Sequence, residues 1–119
     1  MTTEKKIEET VYGFLSILFL FSSLMNFSNS RTIELIGEKL KNYIDLGWGD
    51  YRLRRFITLN DWCEDLGVKK RFRDEDSIYL RDESEKIKPE VDFAFNEMKN
   101  IRSTTNKKYS EIILTYFKQ

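Results

Sequence analysis

The 119-residue sequence contains no histidine, one cysteine and one proline, and each shortage closes off a class of chemistry. Without histidine there is neither the commonest general base nor the usual activator of serine and cysteine nucleophiles. The commonest metal ligand is missing too, so a zinc site would have to rest on carboxylates, which is rare. Cys63 has no second thiol with which to close an internal disulfide, and nothing marks an oxidising compartment. No glycine pattern makes a phosphate-binding loop, and there is no Gly/Ser-rich linker or internal repeat. An excess of one charge is also absent: 20 Lys and Arg balance 20 Asp and Glu. A neutral total gives no global pull toward nucleic acid or anionic lipid.

What is present is hydrophobic enough to fold. Apolar residues make up 40% of the chain and aromatics 14%, beyond what a disordered sequence carries. The length fits a single domain over residues 1–119, which buries roughly two-thirds of its unfolded surface without needing disulfides.

The most informative stretch is "VYGFLSILFLFSSLMNF", residues 11–27, inside a run from Thr10 to Ser30 that carries no charge. Its apolar residues surround most of a helix. Phe14, Leu15, Leu18, Phe21 and Met25 form one broad side, and Ile17, Leu20, Leu24 and Phe27 flank it. Such a helix belongs at the centre of a bundle or under a partner. The broad side is therefore the expected protein interface, and a surface for self-association. A membrane span is the competing reading, at the lower limit of about 17 residues. Ser16, Ser22, Ser23 and Asn26 weaken it, and Tyr12, Ser16, Ser23 and Asn26 trace one wetter edge. A signal peptide is opposed by Glu4, Glu8 and Glu9 crowding the hydrophobic start.

The rest reads with a helical period. The first helix spans Thr3 to Phe27. A second, Arg31 to Asp45, aligns Ile33, Ile36, Leu40 and Tyr43, and Gly47 and Gly49 end it. A short helix follows over Tyr51–Ile57. Thr58 then caps a small helix whose stripe is Leu59, Trp62, Cys63 and Leu66. Ile57 staples onto Trp62, and Gly67 supplies a left-handed stop. Of residues 69–88, 13 of 20 are charged, which obscures any period; Lys70–Asp74, Arg71–Glu75 and Asp82–Lys86 are helix-spaced pairs. "SIYL" suits a helical turn or a short strand. Pro89 suits the first turn of a helix with Val91, Ala94, Phe95, Met98 and Ile101 inward. "STTN" breaks it, and Tyr109, Ile112, Ile113, Tyr116 and Phe117 stripe a last helix. The expected fold is all-α, a compact bundle of about five to seven helices around the hydrophobic N-terminal one.

Three patterns bear on chemistry. In "NDWCEDLGVKKRFR", Cys63, Gly67 and Val68 have helix-turn-helix spacing, which would set Lys69, Lys70, Arg71 and Arg73 on an exposed second helix facing nucleic acid; Arg52, Arg54 and Arg55 would add backbone contacts. Asp74, Glu75 and Asp76 follow at once and dilute that charge. In "DEDSIYLRDESE", Asp74, Asp76, Asp82 and Glu85 match calcium-loop positions, but Ile78 and Tyr79 occupy a ligand place and the turn glycine, so the spacing is chance. Glu64 and Asp65 point to different helix faces and share no proton, and Cys63 lies on an apolar stripe as a structural thiol. The sequence thus reads as a small non-enzymatic cytoplasmic protein with no cofactor or metal. It acts through protein–protein binding as an inhibitor, adaptor or assembly subunit. A helix-turn-helix DNA binder over residues 58–76 is the alternative, and a single-pass membrane protein spanning residues 11–27 the third reading.

Overall fold

A computed structural model describes residues 3–25, 55–65 and 67–118. Among these the only regular secondary structure is helical, with no strand. It comprises α1 (Thr3–Met25), α2 (Arg55–Asp65), a 3-10 turn (Asp74–Asp76), α3 (Ser77–Thr105) and α4 (Tyr109–Lys118). The expected helix over Arg31–Asp45, its Gly47 and Gly49 stop, and Arg52 and Arg54 lie outside the described residues.

α1 is the centre of the packing. Leu20, Ile17, Phe21, Phe14, Leu18, Val11 and Leu15 are all buried. At 100° per residue they cover an arc of about 220°. Tyr12, Ser16 and Ser23 lie on the remaining arc and are half-buried or exposed, as the polar edge in the sequence suggested. Two side chains fold back on the helix, Thr10 Oγ1 donating to Lys6 O at 3.0 Å and Ser16 Oγ to Tyr12 O at 3.0 Å. Glu4–Met25 is also the one helix among the described residues long and apolar enough to cross a membrane. Here its broad apolar arc is enclosed by the chain itself.

α2 packs across α1 through Leu59, Trp62 and Cys63, none of which is exposed. The indole of Trp62 sits 5.6 Å from the ring of Phe14 and 5.6 Å from that of Phe21. Those two phenylalanines are two turns apart, about 10.5 Å along the helix axis, so one indole fills the interval. The described helix already includes Arg55, so Thr58 lies within it rather than capping it, and residues 55–57, expected to end a separate short helix, are continuous with it; residues 51–54 lie outside the described portion. Its other end matches the glycine signal. Gly67 has φ +71, Gly67 N–H donates to Glu64 O at 3.1 Å, and Val68 N–H to Cys63 O at 2.8 Å. This is a Schellman stop, which needs a left-handed residue that glycine adopts without steric cost.

Residues 68–73 are irregular, not helical, with Arg73 in an extended conformation. Asn60 explains why. Its Nδ2 donates to Phe72 O at 2.8 Å, and its Oδ1 accepts from Phe72 N–H at 2.7 Å. Both main-chain groups that a helix would use are thereby taken, and the Phe72 ring enters the core. The pairs Lys70–Asp74 and Arg71–Glu75 are accordingly not one helical turn apart. The Arg71 guanidinium instead donates to Val68 O at 2.8 Å and Lys70 O at 2.9 Å.

α3 absorbs three expectations at once. "SIYL" is its first turn; Ser77 Oγ donates to Asp74 O at 2.5 Å, and Asp76 Oδ2 accepts from Arg73 N–H at 2.8 Å. Pro89 lies in mid-helix rather than in a first turn. Proline cannot donate to the carbonyl of Glu85, and its cost is lowered because Glu85 and Pro89 both face solvent. Leu80, Val91, Ala94 and Met98 face the core; Phe95 is half-buried, and Ile101, expected inside, is 37% exposed. Lys86 pairs with Glu83 at 3.0 Å. Asn106, with φ 59, ends the helix, its N–H donating to Arg102 O at 3.0 Å.

α4 closes the bundle with Tyr109, Ile112 and Ile113. Arg102 ties three elements together. Its Nε donates to Glu4 Oε1 at 2.8 Å and its Nη1 to Lys107 O at 2.9 Å, and its guanidinium lies 4.8 Å from the Tyr109 ring centre.

Candidate functional site

Four of the five residues expected to meet a partner lie inside the chain. Phe14, Leu15, Leu18 and Phe21 are at most 1% exposed, and Met25 is half-buried. Apart from half-buried Met25, this face is covered by the chain's own core, Trp62 above all. The circumferential apolar pattern of α1 reports burial.

The nucleic-acid residues are also displaced from their expected setting. Lys69, Lys70, Arg71 and Arg73 are exposed, but they sit on the irregular segment that Asn60 holds, so residues 68–73 form no recognition helix. Lys70 Nζ lies over the Phe72 ring at 5.3 Å. Arg55 opens α2, and its side chain is outside the described portion. The Asp74, Asp76, Asp82 and Glu85 set divides between the 3-10 turn and α3 and forms no loop.

Two depressions deserve comparison. The first, about 240 Å³, is lined by Tyr12, Ser16, Arg81, Ser84, Glu85, Lys88 and Val91, six of them with polar or charged side chains. Tyr12 Oη donates to Asp92 Oδ1 at 2.6 Å beside it, and Lys88 Nζ to Asp92 Oδ2 at 2.9 Å. The Tyr12 bond first, then Lys88, holds the Asp92 carboxyl below its ordinary value. Ser16 and Ser84 both donate to main-chain carbonyls one turn back, so neither hydroxyl is presented to a base. The network is a tie between α1 and α3.

The second depression, about 420 Å³, is aromatic. Phe19, Pro89, Glu90, Phe93, Tyr116 and Phe117 line it, from α1, α3 and α4. Phe19 and Phe117 are 5.6 Å apart between ring centres, and Tyr116 and Phe117 5.3 Å. Phe93 stands 63% exposed on the rim. The reason is register: Val91, Ala94 and Met98 point inward, which turns Phe93 off the buried stripe. Glu90, Phe93 and Glu97 follow one another at spacings of three and four along one face of α3, so carboxylates flank the ring on both sides. Burial, followed by the Glu97 carboxylate, raises the Tyr116 hydroxyl above its ordinary pKa, which places Glu97 beside the groove.

The sequence reading grouped Tyr116 and Phe117 with the core and passed over Phe19 and Phe93. The available signal was Phe93 itself, a large aromatic between two inward-facing neighbours. Cys63 is fully enclosed, and burial raises its thiol pKa. No protein-family model, curated protein or solved structure matches this chain.

Proposed function

We propose that this chain works without catalysis, by binding another protein, and that its contact surface is the aromatic groove between α1, α3 and α4. The observation that carries this reading is Phe93, 63% exposed over a depression floored by three further aromatic side chains. A large ring held in water costs hydration free energy and contributes little to the fold. Interfaces concentrate their energy in such rings, seated in pockets and flanked by a polar rim. An inhibitor, an adaptor or an assembly subunit would each use the surface in this way. A cytoplasmic setting fits the single enclosed thiol.

The test compares immobilised wild type with Phe93→Asp in extract from the native host, with bound proteins quantified by mass spectrometry. At least one protein should be retained by wild type and depleted about tenfold or more on the variant, an effect of about 1.4 kcal/mol. Circular dichroism should show equal helix content in both. Identical bound sets from the two folded proteins would end the proposal.

A further inference from the structure

We infer that the groove takes a basic amphipathic segment, with an aliphatic or aromatic anchor among Phe19, Phe93, Tyr116 and Phe117 and a lysine or arginine on each side meeting Glu90 and Glu97. The inference rests on the groove reading above and adds the chemistry of the occupant.

Its first support is the charge around the groove. Among the described residues that line it the only charged one is Glu90, and Glu97 adjoins Tyr116. The nearby cation on this face of α3, Lys86, is already engaged by Glu83 at 3.0 Å. An acidic segment, a nucleic acid or an anionic lipid surface would meet like charge here.

Spacing is the second support. Glu90 and Glu97 are two turns apart, about 10.5 Å along α3, with Phe93 between them. A helix lying along the groove offers the complement with cations at i and i+7 and its anchor at i+3 or i+4. The exposed faces of the aromatic rings also favour arginine, whose guanidinium stacks on them.

Among the described residues, the cation cluster that a second copy would offer, Lys69, Lys70, Arg71 and Arg73, carries no exposed anchor, because Phe72 in its midst is buried. Arg71 is also folded onto its own carbonyls.

The test is a selection from a displayed library of 16-residue helical peptides, depleted on Phe93→Asp and enriched on wild type. The expected winners combine leucine, phenylalanine or tryptophan with flanking lysine or arginine. Fluorescence anisotropy of the best peptide should show at least a tenfold loss of affinity on Glu90→Lys, recovered when the peptide's facing cation is changed to glutamate. Glu90 is exposed, so this variant should keep its helix content, and the peptide's own charge reversal tests the same contact on unaltered protein. Phe93-dependent peptides without a bias toward cations would overturn the inference and leave the groove reading standing. No Phe93-dependent peptide would remove both. A doubled mass in light scattering that Phe93→Asp abolishes would assign the groove to a second copy and overturn the basic segment.

Discussion

α1 carries two aromatic clusters with the same ring spacing and opposite fates. On one side Phe14 and Phe21 clasp Trp62, each at 5.6 Å, and all three are at most 1% exposed. On the other, Phe19 meets Phe117 at 5.6 Å, and beside them Phe93 stays largely in water. The chemistry of the rings is the same. The difference is that α2 delivers an indole into the interval between two turns of α1, while nothing in the described chain is delivered over Phe93. Aromatic residues therefore mark the fold in one place and the proposed binding surface in the other, and only the third element tells them apart.

The comparison breaks most sharply at Trp62. Trp62→Ala should cost about 3–5 kcal/mol, read as a shift of the urea midpoint, because it empties the interval and strips both phenylalanines of a partner. A loss below about 1 kcal/mol would show that the closed cluster is no more structural than the open one. Asn60→Ala comes next. It leaves the N–H and carbonyl of Phe72 without their partner, and about 1–3 kcal/mol should be lost in the same titration.

A pH series sharpens the closed side further. Burial, then the nearby Glu8 carboxylate, pushes the Tyr109 hydroxyl up to about 12 from its ordinary value of 10.0. The folded chain keeps this proton while the unfolded chain gives it up. The stability it represents is complete below pH 10.0 and is lost as pH rises toward about 12. Urea midpoints should fall across that window, and more steeply for wild type than for Tyr109→Phe; equal slopes would contradict the burial of the phenol. The smallest effect belongs to the open cluster. Phe93→Asp should shift stability by no more than about 0.5 kcal/mol, and a large loss in thermal unfolding would mean that the groove is core.

How much of this was legible follows from which forces are local. α1 runs from Thr3, as its pattern indicates, through Met25, the last described residue of that stretch; Phe27 lies outside the described residues. The faces of α3 and α4, the stop at Gly67 and the break near Asn106 also follow from spacing and backbone preference. What escaped depends on contacts distant in sequence. Asn60 looks like an ordinary polar residue until its amide reaches Phe72, 12 positions on, and that one clamp abolishes the helix on which the DNA-binding alternative rested. Pro89 reads as a boundary because proline is usually one; solvent at Glu85 lets α3 run through it. The apolar wrap of α1 was visible, but whether the chain or a partner would cover it depended on where Trp62 arrived.

Pro89 has a consequence for how the molecule opens. Of the buried residues of α3, Leu80 alone precedes the proline, while Val91, Ala94 and Met98 follow it. Ile78 and Tyr79, at 64% and 48% exposure, add little anchoring to the first half. With the hydrogen-bond ladder interrupted at Glu85, the two halves of one continuous helix are coupled by fewer bonds than their length suggests. Amide protons before Pro89 should exchange with deuterium through a low-energy local opening. Those between Val91 and Met98 should wait for unfolding of the whole core. The groove is built on the slow half, so its floor should stay formed while the neighbouring turns breathe.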